Sequence, residues 1–367
     1  MTQSRSAYIR LTYEGKDITR DISPFLLTFT FTDNASGTAD DISLTLEDRK
    51  SIWLTDWMPS KGDKLKASIV VEDSQTYTLP CGEYDIDQIE YSYPPRVISI
   101  KGVSASIKKA MKGEKHSRAW ENVTLSTICT DIAASSGLAL HYDGGYVMLE
   151  RREQVQQSDL EFLEGLCAEH GLNVKISDGK LIVYSEADYD SHDSVTEIDA
   201  SFEGLISVKF TSKSAGTYRK AKVKYHHPVK AEYYEAECED DDEEGSEREL
   251  EIYERVDSQS QAQEVAEKAL TQANSKEITA SITVKGDTRF LAGLNVTLTG
   301  FGMFNGKYFI EKATHTLGSG YTTALSLKMG GGAKKAIRSA KTKARSKVKA
   351  SSSSGGGELF YEGDRHY

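Results

Sequence analysis

The chain has 367 residues, of which 38% are hydrophobic and 28% are charged, so it is long enough for two or three domains with their own cores. A formal net charge of −11 argues against nucleic-acid binding through overall charge, and no nucleic-acid partner is expected. No apolar run reaches the roughly 18–20 residues of a transmembrane helix, so stable membrane insertion is not expected either.

Residues 1–103 are predicted to form mostly strands. Alternating or aromatic segments predict strands over residues 8–13, 25–31, 42–46, 64–71, 84–91 and 97–101. Residues 33–41, DNASGTADD, are predicted to be a polar loop between two of these strands. Several short strands at regular spacing favour a barrel or a sandwich.

A short amphipathic insertion, SIWLTDWMP, carries Trp53 and Trp57. We expect both indoles to pack this insertion onto the predicted β-domain. The alternative is that they are exposed and anchor an interface, because tryptophan is enriched at the energetic centres of protein interfaces.

Residues 104–200 mix helices with strands. A short helix is predicted over residues 104–111. Thr124 is expected to cap a second helix that ends at Gly137, where a positive φ favours glycine. A strand over residues 138–142 is predicted to follow.

A third helix and a hairpin come next in the sequence. Ser158 and Glu161 have the spacing of a capping box, and Gly171 lies where this helix is expected to end. Alternating apolar residues over 172–176 predict a half-buried strand, and the Asp-Gly pair at 178–179 predicts the turn into a second strand. This helix and hairpin form a small module between two strand-rich regions.

Residues 201–330 are again rich in strands, predicted over residues 205–212, 220–226, 278–285, 294–298, 307–315 and 321–329. A helix is predicted over residues 258–272, because its apolar residues recur at helical spacing. The Asn-Gly pair at 305–306 is a strong hairpin turn signal.

An acidic segment at residues 232–251 interrupts this region. It holds twelve acidic side chains and one arginine, and such segments are usually solvated loops. A calcium site is the alternative, but the spacing does not match the calcium-binding loop pattern.

Residues 331–367 are predicted to be a flexible tail. Residues 333–350 hold eight Lys or Arg side chains and no acid, and residues 351–357 are a Ser/Gly linker. The basic stretch could contact nucleic acid, but solvation or folding on an acidic partner is the preferred interpretation. The Leu-Phe-Tyr cluster at 359–361 resembles a tethered docking peptide, with an unstructured end as an equal alternative.

The sequence predicts no catalytic, cofactor-binding or metal-binding residue, and no cofactor. Motifs such as GxSxG, HExxH and the phosphate-binding loop are missing. Neither a zinc site nor a disulfide framework is expected, because CxxC spacing is missing from the four cysteines, Cys81, Cys129, Cys167 and Cys238. The adjacent histidines at 226–227 would point to opposite faces of a strand, and His315 is expected to be packed or hydrogen-bonded.

Two stretches of the chain carry motifs of one known family. The first is QSDLEFL at residues 157–163, followed by CAEHGL at 167–172 and DGKL at 178–181. The second is GKYFIEKATH at residues 306–315, followed by YTTALSL at 321–327. Together they resemble the phage late control protein D family, the baseplate hub proteins of contractile tails. In architecture the resemblance extends over roughly residues 1–330.

The resemblance implies a mainly β fold with an α+β insertion. It divides the chain into a tube-like β-barrel domain at residues 1–103 and a small helix–hairpin domain at 104–200. A second tube-like β-barrel domain follows at 201–330, with an acidic loop at 232–251, and residues 331–367 form the basic, Ser/Gly-rich tail.

The resemblance also implies a structural role without enzymatic activity. Three copies would form a pseudo-sixfold ring that joins the inner tail tube to the central spike. The expected partners are two further copies, the tail tube protein, the central spike protein and other baseplate proteins, with the tape measure protein as a further candidate. The chain would be made in the bacterial cytoplasm, enter the baseplate and leave the cell by lysis.

Two other functions remain open at this point. The first is a tail-associated protein that binds or hydrolyses peptidoglycan through the helix–hairpin module. The second is a nucleic-acid-associated protein that acts through residues 333–350, which predicts salt-dependent DNA binding. The sequence does not distinguish a phage from a contractile bacteriocin, and it does not identify the target bacterium.

Overall fold

The computed structural model describes residues 5–104, 114–177, 179–185, 192–213, 216–227, 232–240, 248–253 and 255–330. The tail at 331–367 and the centre of the acidic segment lie outside these ranges. The helix predicted over residues 104–111 also lies outside them, except for Ser104, which ends a strand.

Strands dominate the first hundred residues, as predicted. Besides a short helix α1 (Thr19–Ile22) and a 3₁₀ turn (Ile52–Leu54), this region contains β1 (Ser6–Tyr13), β2 (Lys16–Asp17), β3 (Leu26–Asn34), β4 (Asp41–Glu47), β5 (Lys64–Glu72), β6 (Thr76–Ser92) and β7 (Val97–Ser104). Each strand predicted in this region falls within one of these elements or overlaps it by all but one residue.

The middle region forms a small α+β unit. Its elements are β8 (His116–Thr124), α2 (Leu125–Ser136), β9 (Ala139–Asp143), β10 (Met148–Gln157), α3 (Asp159–Glu169), β11 (Leu172–Ser177) and β12 (Lys180–Ser185). Strands β8 and β10 form a two-stranded ribbon, and β9, β12 and β11 form a separate sheet. The two helices and both sheets share one apolar core.

The helix ends confirm the predicted caps. The Thr124 side chain accepts a hydrogen bond from the Thr127 N–H at the start of α2. Ser158 and Glu161 form the reciprocal capping box of α3. These bonds satisfy backbone donors that have no partner within the helix, which is why the short-range pattern was sufficient to locate both helices.

The last region contains the remaining strands and one long helix. The elements are β13 (Ser194–Ile198), β14 (Leu205–Ser212), β15 (Lys220–His227), β16 (Glu232–Glu239), β17 (Glu249–Ile252), α4 (Gln259–Ala273), β18 (Ile278–Lys285), β19 (Asn295–Leu298), β20 (Gly306–Leu317) and β21 (Tyr321–Met329), with 3₁₀ turns at Asn274–Lys276 and Gly302–Phe304.

Strands from both ends of the chain form a single main sheet. Its order is β14-β18-β21-β20-β3-β4-β7-β6-β5-β1-β2, with β19 beside β20 and β13 beside β19. The described pairings run as an open path and do not close into a barrel. Strands β1 and β18 lie near opposite ends of this path, yet the Arg5 side chain before β1 donates a hydrogen bond to the carbonyl of Gly286 after β18. The sheet therefore curls so that its two ends approach each other. The two strand-rich regions have separate apolar cores on this shared sheet.

The two halves of the main sheet repeat one strand arrangement. The order β3-β4-β7-β6-β5 in the first half matches β14-β18-β21-β20-β19 in the second, and all of these pairs are antiparallel. Aligning Tyr84 of β6 with Tyr308 of β20 brings both halves into the same register. Both tyrosines are fully buried, and their partners are Leu65 of β5 and Val296 of β19.

Bulges occur at matching places in the two halves. Asp87 is the extra residue where β6 pairs with β7, and Glu311 is the extra residue where β20 pairs with β21. Leu27 in β3 and Ile206 in β14 are the extra residues against β4 and β18. Because a bulge is a specific local feature, this agreement indicates a genuine structural repeat.

A glycine turn also recurs before β5 and β19. Gly62 and Gly293 have φ values of 90° and 91°, which are accessible to glycine at little cost. Each donates its N–H to the carbonyl of the residue before the bulge, Ile86 in β6 and Ile310 in β20. The repeat therefore includes hydrogen bonds outside the regular ladders.

The acidic segment does not form the predicted solvated loop where the structure describes it. Residues 232–239 and 249–252 are the strands β16 and β17, which flank β15 and pack against α4. Their apolar residues alternate with the acids and face the core, at Tyr234, Ala236, Leu250 and Ile252. The glutamates point outward and form ion pairs with lysines of β15, namely Lys220, Lys222 and Lys224. The prediction failed because the large number of acids concealed the alternation of apolar and acidic residues that is typical of a strand.

Loss of the α3 cap should destabilise the middle unit. In Ser158→Ala the N–H of Glu161 loses its acceptor, so we expect the free energy of unfolding to fall by about 1 kcal/mol. Urea denaturation followed by circular dichroism measures this change. Ser158→Thr keeps a hydroxyl acceptor and should lose much less stability. Equal stabilities for the alanine variant and the wild type would contradict the role of the cap.

Candidate assembly interface

The two repeats meet where β20 pairs with β3, which we call the β3–β20 joint. Residues 312–317 lie antiparallel to residues 29–34, with Lys312 opposite Asn34 and Leu317 opposite Phe29. The joint makes the sheet continuous between parts of the chain that are far apart in sequence. Such a ladder is the kind of contact that can also join separate chains.

His315 lies at the centre of this joint and is fully buried. Its ring stacks on Phe31 with a centroid distance of 5.9 Å. Nε2 donates to the Phe290 carbonyl over 2.9 Å, which leaves Nδ1 to accept from the Tyr321 hydroxyl over 2.8 Å. Burial lowers the pKa of His315. The prediction of a packed, hydrogen-bonded histidine is confirmed.

A second contact ties the middle unit to both repeats, and we call it the buried junction. The Lys175 ammonium of β11 lies 2.5 Å from the Asp33 carboxylate of β3. The other oxygen of Asp33 accepts the N–H of Ala292 over 2.8 Å. One carboxylate therefore contacts the first repeat, the middle unit and the second repeat.

Asp40 adds a second buried carboxylate to the junction. It accepts the N–H of Asn34 over 2.9 Å and the hydroxyl of Ser177 over 3.0 Å. Burial raises the pKa of Asp40 to about 6, with Asp33 adding to the rise and Lys175 opposing it. Tertiary contacts therefore hold a carboxyl group with an unusually high pKa between β3 and the middle unit.

Five of the nine residues of the predicted polar loop at 33–41 are buried, while Ser36, Gly37 and Thr38 at its centre are exposed. Ala35 and Ala39 are covered along with the two aspartates, and the Tyr184 hydroxyl donates to the Ala35 carbonyl over 3.0 Å. The structure confirms a loop at residues 35–40, between β3 and β4, but it also buries polar side chains at both ends of that loop. These polar groups have partners on a unit that lies more than a hundred residues away in sequence.

The two tryptophans of the 51–59 insertion have different environments. Trp53 is buried and packs edge-on against Phe25, as expected. The ring centroids of Trp57 and Trp53 lie 5.4 Å apart. Trp57 nevertheless remains 41% exposed, and the neighbouring Leu54 and Met58 are about half exposed. The packing interpretation is confirmed for Trp53, while Trp57 retains an exposed apolar surface.

The described residues contain no group of three or more His, Cys, Asp or Glu side chains placed to hold a metal ion. Within the same ranges, no helix is long and apolar enough to cross a membrane.

Residues 108–321 match the family model described as phage tail baseplate hub (GPD). The chain belongs to this baseplate hub family. The match includes the middle unit and most of the second repeat, and so the first stretch that carries the sequence resemblance and the second stretch as far as residue 321. It confirms the family predicted from those motifs.

The probable baseplate hub protein of Escherichia phage P2 is 27% identical to this chain over 175 residues. The alignment covers 47% of this chain and 43% of that protein, so the chain spans less than half the length of this curated relative.

Two solved structures have a similar fold. A tail protein from Neisseria meningitidis MC58 superposes with a TM-score of 0.69 at 14% identity, covering 89% of this chain and 97% of that one. The 43 kDa tail protein of prophage MuSo2 from Shewanella oneidensis superposes with a TM-score of 0.68 at 16% identity, and the alignment covers 88% of this chain and 98% of that one. At these identities the likeness shows the shared fold, which is mainly β.

The pKa of Asp40 predicts a pH dependence of stability. Between pH 6 and pH 4 the native state holds a proton that the unfolded state releases, so lowering the pH increases stability. From pH 7 to pH 5 this contribution should rise by roughly 1.4 kcal/mol. Asp40→Asn removes this contribution, because the amide does not titrate. Between pH 7 and pH 5 the free energy of unfolding of the wild type should therefore rise by roughly 1.4 kcal/mol relative to that of the variant.

Urea denaturation of the wild type and Asp40→Asn at pH 7, 6 and 5 measures this difference. Asp73→Asn, at an exposed turn, is the matched control for the loss of one carboxyl group. A pH-independent difference for Asp40→Asn would refute the raised pKa.

The hydrogen bonds of His315 predict a stability loss at the β3–β20 joint. His315→Leu leaves the buried Phe290 carbonyl without its donor, so we expect a loss of about 1–3 kcal/mol in thermal or chemical denaturation. Tyr321→Phe should cost less, and the double variant should cost less than the sum because the two side chains share a bond. Strict additivity would show that this bond contributes nothing.

Proposed function

We propose that this chain is a structural baseplate hub whose three copies form a pseudo-sixfold ring between the inner tail tube and the central spike. The observation that supports this most directly is the structural repeat within one main sheet. Two similar units in each chain would give six similar positions in a ring of three. Membership of the baseplate hub family and the fold shared with phage tail proteins support the same proposal.

The proposal includes a division of labour along the chain. Residues 1–103 and 201–330 would be the two tube-like units of the ring wall, and residues 104–200 would be a unit attached to it. The three separate apolar cores of these regions support this division. The core around α4 and β15 adds a satellite unit within residues 201–330.

The proposed partners follow from the position of a hub in a baseplate. One face of the ring would contact the tail tube protein and the other the central spike protein, with other baseplate proteins around it. The chain would act without catalysis, after synthesis in the bacterial cytoplasm and before release of the particle by lysis.

The mass in solution tests this proposal. Light scattering on the purified full chain should give three times the chain mass of 40.6 kDa, and negative-stain images should show a ring with a central opening. A cell-wall turbidity assay on the same sample should show no clearing. A protein that stays monomeric, alone and when co-expressed with its tube and spike proteins, would contradict the hub. Clearing of cell walls would favour peptidoglycan hydrolysis instead.

A further inference from the structure

The repeat shows that two strand edges lack the partner that their counterparts have. By the register of the repeat, β14 corresponds to β3, and residues 88–92 of β6 correspond to residues 312–316 of β20. Among the described ladders, β14 pairs with β18 alone and residues 88–92 pair with β7 alone. Within the part of the chain that the structure describes, each segment is therefore open on the side where its counterpart forms the β3–β20 joint.

The backbone of β14 is oriented to form such a joint. The N–H of Lys213 donates to the carbonyl of Glu277, just before β18. Because backbone groups in an antiparallel strand alternate in direction, Thr211 and Lys209 also direct their N–H and C=O groups toward β18. The residues between them direct their N–H and C=O groups away from the sheet, namely Val208, Phe210 and Ser212.

The matching residues of β3 make the corresponding bonds inside the chain. The N–H of Ala35 donates to the Glu311 carbonyl, so the alternate residues of β3 that face β20 are Phe29, Phe31 and Asp33. These are the counterparts of Val208, Phe210 and Ser212. The same donors and acceptors are thus used in one repeat and open in the other.

We propose that β14 of one copy pairs antiparallel with residues 88–92 of β6 in a neighbouring copy, in the register of the β3–β20 joint. This inference rests on the proposed ring and names its contact between copies. Transferring the register gives five opposed pairs, namely Gln88 with Lys213, Ile89 with Ser212, Glu90 with Thr211, Tyr91 with Phe210 and Ser92 with Lys209.

The polar face of this pairing is complementary in charge. Glu90 lies opposite Thr211, which makes Lys209 and Lys213 its diagonal neighbours. All three charged side chains are exposed in the single copy. Opposite charges at neighbouring cross-strand positions stabilise an antiparallel pair, and like charges would oppose it.

The other face pairs two aromatic rings. Tyr91 opposite Phe210 corresponds to His315 opposite Phe31, whose rings stack within the chain. Phe210 already stacks on Phe304 with a centroid distance of 4.7 Å. Tyr91 and Phe210 are both half-buried in the single copy, so pairing would cover rings that now have one open side.

The two open edges belong to different repeats, so the contact is head-to-tail. A head-to-tail contact makes a closed ring when its rotation divides a full turn evenly. If each contact between copies has the geometry of the β3–β20 joint, three chains give six similar joints, alternately within and between chains.

Disulfide trapping tests the register directly. Thr211 faces β18 with its backbone, so Glu90 and Thr211 form a non-hydrogen-bonded pair, in which opposed Cβ atoms are close enough for a disulfide. The full-length double variant Glu90→Cys with Thr211→Cys should give covalent dimers and trimers on mild oxidation. Reductant should return them to monomer on denaturing gels.

The controls separate register from chance collision. Glu90→Cys with Ser212→Cys places the thiols on opposite faces, so we expect about tenfold less covalent product than from the 90–211 pair. Each variant with only one of the added cysteines should match the wild type, in which Cys81, Cys129 and Cys167 are buried and Cys238 is partly exposed. Circular dichroism before oxidation checks that each variant is folded.

A charge exchange gives a second test without disulfides. Glu90→Lys places three lysines together and should weaken the ring, seen as a lower mass by light scattering. Adding Lys209→Glu to Glu90→Lys should restore at least part of the assembly. Failure of the second change to restore any assembly would count against the diagonal contact.

The outcomes separate this inference from the hub itself. A ring of three whose 90–211 pair does not cross-link, or links no better than the 90–212 pair, overturns the proposed joint and leaves the hub intact. A wild-type chain that never forms a ring, alone or with its tube and spike proteins, and whose 90–211 pair never links, overturns both.

Discussion

The pairing of β20 with β3 is the constraint on which the rest of the structure depends. It joins the two repeats into one sheet, so neither repeat can change its position without breaking a ladder of backbone hydrogen bonds. Because successive side chains of a strand alternate between faces, a shift of one residue between β20 and β3 would remove His315 from Phe31. Backbone bonds and buried side chains therefore specify the same register.

The buried junction transmits this constraint to the middle unit. Burying Asp33, Asp40 and Lys175 carries a large desolvation cost, which is offset only because the carboxylates also accept bonds from backbone N–H groups and from Ser177. Polar contacts of this kind are directional, so they define how the unit sits against the sheet more narrowly than an apolar patch would. The orientation of the middle unit relative to the main sheet follows from them.

The satellite unit shows how one segment can carry charge and still form a core. In β16 and β17 the acids occupy the outward positions and the apolar residues the inward ones, while lysines of β15 lie between the two acidic strands. These exposed ion pairs contribute little stability individually. Their arrangement instead keeps like charges on neighbouring strands apart, so an acidic sequence can remain a sheet.

The sequence by itself determined the local elements, because caps, turns and alternation act over a few residues. Ser158 with Glu161 located α3, Thr124 located α2, and apolar alternation located the main strands of both repeats. Only the tertiary structure decided that β3 pairs with β20, that Lys175 meets Asp33, and that Asp33 and Asp40 are buried. Those contacts join residues more than a hundred positions apart, and no short-range pattern specifies which distant edge or charge becomes the partner. The family resemblance implied two similar β-domains, but only the structure gave their strand-by-strand correspondence, since the two halves share strand register and bulges rather than side chains.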